Sequence, residues 1–410
     1  GYPYACKYSN GPHVYRQPPY RRWPDVFIQH PSSYGGEGQE AGRAFKANLL
    51  ISYAGAYSDT PLFPPFMTKT LKINPFIPEP SKIKEAAEVI KNGGTVAFPT
   101  ETVYGLGAGA LCPEAVKKVF RAKGRPSDNP LIVHIAEIND LKLVAKKPSK
   151  AALALINEFW PGPLTIILKR KKVVPDIVTG GLDTVAVRMP DNKIALSLIK
   201  KSGVPLVAPS ANFSGKPSPT GARDVAADLS GRIDMIIDGG KTRIGIESTV
   251  IDMTTKPPVL LRPGGLPVEE IEKVAGPVRK LSEEPDGLRC EPVRSPGMKY
   301  RHYAPKARMT IVEGDMEAAQ ARIKKLAEEG LKKGKKVGVL TFHRYFSIEG
   351  CINKYAGSRP ETVARKLFDA LRGFDKEGVD VIVSEGYGGK GLKLGIADRL
   401  RRAAGQIIKV

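Results

Sequence analysis

The chain has 410 residues, 41% of them hydrophobic and 26% charged, the balance of a soluble globular protein with room for two or three domains of about 150 residues each. Lys and Arg number 64 against 42 Asp and Glu; the net charge of +22 points to polyanionic company (nucleic acid, nucleotides or phosphate-rich substrates), although a solvated lysine-rich surface would account for it as well. No apolar run reaches the ~18 residues of a membrane span, the N-terminus lacks a signal peptide's pattern, the four cysteines form no CxxC and the five histidines no HxxxH, which argues against membrane, disulfide-scaffold, zinc-finger and histidine-metal classes and fits a reduced cytosolic compartment.

Residues 1–66 are rich in aromatics, broken by prolines such as Pro3, Pro12, Pro18 and Pro19, and show no sustained period. Met67 is the first methionine, and regular patterning starts there, so the expectation is a functional chain from Met67 and a dispensable leader before it. The alternative is a native extension with contacts of its own. Ser81 caps a helix over 82–91 that Asn92-Gly93-Gly94 ends, and a strand over 95–98 follows. A helix over 113–122 starts on Pro113. The β-rich runs 131–135, 164–168, 185–189, 205–208, 233–237 and 249–252 read as strands, with helices over 150–159, 193–201 and 221–229 between them. Residues 67–275 thus form one α/β unit. From 276 to 306 the period is lost among Pro277, Pro285, Pro292, Pro296 and Pro305, the composition of a long linker. Strands over 309–312, 336–342 and 379–384 alternate with helices over 316–333, 361–374 and 392–404, making 307–410 a small doubly wound α/β domain.

The usual nucleotide and hydrolase signatures are missing. There is no GxxxxGK[ST] and no GxSxG, and Gly105-Leu-Gly107-Ala-Gly109 misses GxGxxG by one position. Instead, polar segments rich in Gly and Pro lie just beyond strands, at 98–107, 121–131, 187–190, 208–215, 245–250 and 261–264. Loops at strand ends are where α/β folds bind ligands. These loops carry four cations, Lys123, Arg125, Arg188 and Arg262, and the neutral donors Thr102, Thr184, Ser210, Asn212 and Ser248. That set suits a triphosphate plus a small polar acid. A lone arginine reads as a surface ion pair; several in such loops read otherwise. Glu101 and Glu247 could hold a metal or cap the loops, Asp128 and Asn129 before Pro130 read as turn formers, and His134 reads as a half-buried strand histidine.

Pro99-Thr-Glu-Thr-Val-Tyr-Gly-Leu, Lys123-Gly-Arg-Pro, Asn129-Pro-Leu, Trp160-Pro-Gly-Pro-Leu-Thr, Val187-Arg-Met-Pro, Ala208-Pro-Ser-Ala-Asn, Ser248-Thr-Val and Arg262-Pro-Gly occur in this order. Together they resemble the threonylcarbamoyl-AMP synthases, the YrdC-like family. The segment Ser295-Pro-Gly-Met-Lys-Tyr-Arg-His-Tyr-Ala-Pro305 and the second domain are similar to the family's long, two-domain form, so the resemblance covers 67–410. It implies a twisted α/β catalytic domain with a concave basic surface, a smaller Rossmann-like C-terminal domain, and a linker folding over the active site. The implied reaction joins ATP, L-threonine and bicarbonate or CO2 into L-threonylcarbamoyladenylate with release of pyrophosphate. A separate tRNA threonylcarbamoyl transferase complex in the cytoplasm would consume the product.

The resemblance also implies residue roles. Lys123, Arg125, Asn129, Thr184, Ser210, Asn212, Ser218, Arg262 and Tyr303 go to ATP, with Lys123 and Arg125 catalytic. Thr102, His134, Arg188, Ala208 and Ser248 go to threonine and its carbamate. Arg301 would reach in with Tyr303, and 295–305 would act as a lid against water. Mg2+ would rest on phosphate oxygens, so the sequence need show no metal box. Two other readings are weighed. A carbamoyltransferase of hydrogenase maturation would need an acylphosphatase module and CxxC fingers, which are absent. A non-catalytic RNA-binding YrdC-like protein is motivated by the charge, but no stacking-aromatic pattern accompanies it.

Overall fold

The structure, a computed structural model, describes residues 67–280 and 303–410. The expectations for the leader 1–66, for Arg301 and for most of the linker lie outside the described residues.

Eleven described strands form one mixed sheet: β1 (Lys69–Lys72), β2 (Val96–Phe98), β3 (Gly105–Gly109), β4 (Ile132–His134), β5 (Leu164–Lys169), β6 (Thr184–Arg188), β7 (Leu206–Val207), β8 (Met235–Asp238), β9 (Thr249–Asp252), β10 (Val259–Arg262) and β11 (Arg279–Lys280). Their order across the sheet is β1-β8-β2-β3-β7-β4-β6-β5-β9-β10-β11. A second sheet of β12 (Arg308–Glu313), β13 (Val337–Thr341), β14 (Ile352–Tyr355), β15 (Val381–Glu385) and β16 (Gln406–Lys409) has the order β14-β13-β15-β12-β16 and is parallel throughout. Helices join its strands except between β13 and β14, which a helix-free segment over 342–351 connects. The α/β architecture expected from the sequence, a twisted sheet plus a smaller Rossmann-like one, is the one found.

Helical spacing explains how the first sheet is covered. Pro80–Lys91 starts on proline and buries Ile83, Ala86, Ala87 and Ile90, one face at the 3.6-residue period. It packs against Lys193–Ser202, which buries Ile194, Ala195, Leu198 and Ile199. Burying each isoleucine contributes about 1.5–3 kcal/mol, an upper figure because the unfolded chain is itself partly compact. Ser81 is not the cap; Glu79 stands at that position without a side-chain cap bond, and the proline supplies the start.

The segment expected over 98–107 as a loop beyond a strand is corrected at its end: Gly105–Gly109 form β3, a fully buried strand antiparallel to β2, in keeping with their failure to match GxGxxG. The Phe98 ring lies across them, and a Cβ on Gly107 would meet it at 2.6 Å. Strands β14 and β16, unforeseen, are short sheet edges with little burial; β16 leaves the apolar Ile407 exposed.

The second sheet's helices Pro360–Glu377 and Leu392–Ala403 bear directly on loops of the first. A Cβ on Gly245 (φ +90°) would fall 2.4 Å from the Ala364 carbonyl, and one on Gly395 would fall 2.9 Å from the Gly264 carbonyl. Val103 and Ile246 from the first sheet's loops complete the apolar cluster around Met309, Leu367 and Ile396. Charged groups follow the same seam: Arg372 meets Asp228 at 2.7 Å, Lys376 meets Asp224 at 2.9 Å, and Lys241 meets Asp369 at 2.7 Å. The last pair is exposed and contributes about 1 kcal/mol at most. The Arg372–Asp228 pair is buried, and losing one partner there would cost about 3–5 kcal/mol. Among the described residues, no helix is long and apolar enough to cross a membrane.

Candidate active site

The helix Pro113–Lys123 ends at Gly124 in the left-handed region (φ +59°), where a Cβ would strike the Phe213 ring at 2.8 Å. That tight exit leaves Lys123 as the last helical residue, fully buried. Its ammonium donates to the carbonyl oxygens of Ser210 and Asn212, the latter at 2.7 Å. Burial first, and the neighbouring Arg125 charge second, push its pKa well below the ordinary lysine value. A cation held in dry surroundings by carbonyls alone is a site prepared for an anion. Arg125, just past Gly124, donates to the Pro130 carbonyl at 3.0 Å. Asn129 is buried, and neither of its side-chain polar atoms finds a hydrogen-bond partner among the described residues. An unmet buried amide costs about 1–3 kcal/mol, so this turn residue keeps hydrogen-bonding capacity in reserve.

The loop after β7 is held by its own side chains. Ser210 donates to Asn212 Oδ1 at 2.6 Å, and Asn212 Nδ2 donates to the carbonyls of Phe213 (2.7 Å) and Lys216 (2.9 Å). Asn212 therefore presents its carbonyl to Lys123, while its amide is used within the loop. Ser218 donates to Glu247. Burial alone would raise the Glu247 pKa, but Arg399, Arg262 and the Ser218 hydroxyl hold it below the ordinary carboxylate range. Arg262, at the end of β10, donates to the Ser248 carbonyl at 3.0 Å and its hydroxyl at 3.2 Å. Burial lowers the Arg262 pKa.

Tyr303, where description resumes after the linker, is buried beside this group. It adopts φ 65°, stacks on Phe368 with ring centroids 5.4 Å apart, and lies under the Arg399 guanidinium at 5.5 Å. Burial, then the Glu247 charge, raises its pKa.

The second group assembles through sheet register. His134 on β4 and Thr165 on β5 are both opposite Arg188 on β6. Arg188 Nη2 lies 2.7 Å from Glu101 Oε1, and its Nε donates to the Gly162 carbonyl at 3.3 Å, in the Trp160-Pro-Gly-Pro loop. The ion pair is close but poorly aligned: neither Glu101 oxygen nor Arg188 Nη2 completes a hydrogen bond among the described residues. Contact distance establishes the charge pairing, and the misalignment leaves hydrogen-bonding capacity on both partners. Thr102 bonds Thr100 at 2.8 Å, Ser248 bonds Thr165 at 2.8 Å, and Ala208 N donates to the Ile132 carbonyl at 3.0 Å beside His134. His134 is fully buried, not half-buried, and burial followed by the Arg188 charge lowers its pKa to about 3. It is neutral at working pH. Thr184 opens β6, four residues from Arg188 and about 13 Å along the strand, and so lies apart from this cluster.

Two partners escaped the sequence reading. Glu101 pairs with Arg188 and does not stand ready for a metal, and Glu247 is engaged by Arg399. Arg399 sits in Leu392-Lys-Leu-Gly-Ile-Ala-Asp-Arg-Leu-Arg-Arg-Ala403, where nothing local distinguishes the buried arginine from exposed Arg401 and half-buried Arg402. Among the described residues no group of three His, Cys, Asp or Glu could hold a metal ion.

Comparison with known proteins completes the description. Residues 88–264 match the family model described as telomere recombination, and residues 266–405 match the one described as threonylcarbamoyl-AMP synthase, C-terminal domain. The chain is 55% identical over 330 residues to the threonylcarbamoyl-AMP synthase of Pyrococcus abyssi, covering 80% of this chain and 96% of that protein. It is 50% identical over 334 residues to the threonylcarbamoyl-AMP synthase of Bacillus subtilis, covering 79% of this chain and 93% of that one. The crystal structure of P. abyssi Sua5 complexed with L-threonine superposes with a TM-score of 0.80 at 52% identity, covering 84% of this chain and all of that one.

Proposed function

Because the chain belongs to the threonylcarbamoyl-AMP synthase family, we propose that it converts ATP, L-threonine and bicarbonate or CO2 into L-threonylcarbamoyladenylate and pyrophosphate. The observation that carries this reading is the juxtaposition of two differently charged pockets: a buried lysine held by carbonyls, and a buried Arg–Glu pair with unused hydrogen-bonding capacity.

Threonine binds as a zwitterion, its ammonium gives up a proton to solvent, and the neutral amine attacks CO2; a second N–H proton leaves as the carbamate forms, and a carbamate oxygen then attacks the α-phosphorus as pyrophosphate leaves. Such a transfer needs positioning and charge neutralisation more than a nucleophilic side chain. Lys123, Arg125 and Arg262 oppose the phosphate charge, and Asn129 has an amide to offer. Arg188 receives the threonine carboxylate. Glu101 is the acceptor available to the amine, so the pair matches a zwitterion. Ser248, Thr102 and the Ala208 backbone line the same pocket, with His134 as a neutral wall. Ser210, Asn212 and Ser218 shape the nucleotide loop, and Thr184 would contact the nucleotide from the far end of β6.

Mg2+ would supply further phosphate neutralisation. The carboxylates here, Glu101 and Glu247, are each taken by an arginine, so the ion would rest on phosphate oxygens and water.

In this reading 67–275 is the catalytic domain, 276–306 the lid-forming linker anchored at Tyr303, and 307–410 the C-terminal domain. The protein works in the cytoplasm, and a tRNA threonylcarbamoyl transferase complex consumes the adenylate to make N6-threonylcarbamoyladenosine in tRNA. The test is pyrophosphate release from ATP, with threonine and bicarbonate omitted in turn. Release should depend on both; equal release without threonine would overturn the assignment, and tRNA binding without turnover would favour the RNA-binding reading.

A further inference from the structure

The second sheet's helices reach the nucleotide side through Arg372, which donates to the Pro217 carbonyl beside Ser218, and above all through Arg399. Arg399, completely buried in the helix Leu392–Ala403, donates from Nε to Glu247 Oε2 at 2.7 Å and from Nη1 to the Pro263 carbonyl at 2.6 Å and Asp398 Oδ2 at 2.8 Å. Glu247 takes the Ser218 hydroxyl on its other oxygen, and Pro263 directly follows Arg262. The guanidinium also lies over Tyr303 at 5.5 Å. One planar group thus fixes three loops and the end of the linker. Its Nη2 is buried without a hydrogen-bond partner among the described residues, so the group is not optimised as glue between sheets. Simple cohesion is supplied elsewhere along the seam, by Arg372–Asp228, Lys376–Asp224 and the Val103–Ile246 contacts.

We propose that Arg399 is a positioning residue of the nucleotide site: by holding Glu247 and the Pro263 carbonyl it keeps Ser218 and Arg262 where ATP meets them. The C-terminal domain thereby sets ATP affinity without touching the threonine pocket. This rests on the assignment of ATP to the Lys123–Arg262 side, and the experiment separates the two.

Steady-state pyrophosphate release and thermal melting are measured on the full chain for Arg399→Met, Arg399→Lys, Glu247→Gln, the Arg399→Met/Glu247→Gln double variant, Lys123→Met and the seam control Arg365→Ala. Losing a charge-assisted network of this kind should raise the ATP KM of Arg399→Met about tenfold, with the threonine KM unchanged. Arg399→Lys keeps the charge but not the fork and should fall between. The double variant removes the lone buried carboxylate, so its melting temperature should recover while its ATP KM does not. Arg365→Ala, which loses only an exposed bond to the Arg243 carbonyl, should match the parent. If ATP KM recovers together with stability in the double variant, or both KM values rise together, Arg399 is structural and the proposal falls. Should Arg399→Met fail to fold, Arg399→Lys and Glu247→Gln decide by the same split in KM. If Lys123→Met leaves the ATP KM unchanged, the nucleotide is not bound here and both readings fall; if it raises the ATP KM and Arg399→Met does not, only the positioning role falls.

Discussion

The two halves of the site handle charge in opposite ways. On the side proposed for the nucleotide, Lys123 is buried against carbonyl oxygens, and no carboxylate forms a salt bridge with it among the described residues. On the side proposed for the amino acid, Arg188 carries its own counter-ion, Glu101, at 2.7 Å. The first pocket is short of negative charge and the second is balanced. A polyanion relieves the first, whereas a zwitterion fits the second without changing its net charge. The ligand's charge can be read from how far each pocket has neutralised itself.

Removing one cation from each side should break this contrast most directly. Lys123→Met should lower kcat/KM for ATP by about a thousandfold, the size of losing a preorganised electrostatic contact. The same change removes an uncompensated buried charge, so thermal melting should hold steady or rise. Inactivity together with a large loss of stability would mean that Lys123 serves the fold instead.

Arg188→Ala should do the reverse to stability. It strands Glu101 in a dry pocket at a cost of about 3–5 kcal/mol, read from denaturant unfolding. The threonine KM should rise about tenfold or more through the lost carboxylate contact, with ATP binding little changed. A double Arg188→Met/Glu101→Gln variant should regain stability but not threonine affinity. Equal loss of ATP affinity would move Arg188 to the nucleotide side.

The smallest effect sharpens the picture of His134. Its folded pKa of about 3 lies below the ordinary histidine value of 6.5, so between these limits the unfolded chain takes a proton that the folded chain refuses. Stability should therefore fall as pH drops below 6.5, by about 1.4 kcal/mol per pH unit once the unfolded imidazole is charged. Measuring between pH 6.5 and 5 keeps the Glu247 and Asp228 carboxylates, whose pKa values are lowered, out of the window. His134→Asn should flatten this slope; an unchanged slope would place the acid sensitivity elsewhere.

What could be read from the sequence was local. Helices with apolar faces at the 3.6-residue period, and loops whose Gly, Pro and polar residues run together as in 98–107, show themselves within a dozen residues. That 105–107 belong to a strand, and not to the end of the 98–107 loop, was hidden because the role of these glycines lies in the Phe98 ring on the neighbouring strand. The charge partners were the least visible. Arg399 and Glu247 are 152 positions apart, and Arg372 and Asp228 are 144 apart, so no spacing rule connects them. The burial of Asn129, whose amide finds no hydrogen-bond partner among the described residues, follows likewise from packing and not from its neighbours in the chain.

The Glu247–Arg399 pair constrains ancestry as well as chemistry. The helix Leu392–Ala403 supplies both the guanidinium and part of the cover over Glu247, so a lineage that lost the whole C-terminal domain would leave the acid facing water, at a cost of about 1 kcal/mol or less. Loss of the arginine alone, with the domain kept, would strand the acid in dry surroundings at about 3–5 kcal/mol against a total stability of about 5–15 kcal/mol. Two-domain relatives should therefore keep the acid and the arginine together, whereas relatives built from the first sheet alone are free to vary the position that Glu247 holds here, so that one column of the alignment records which chains are bound by the pair.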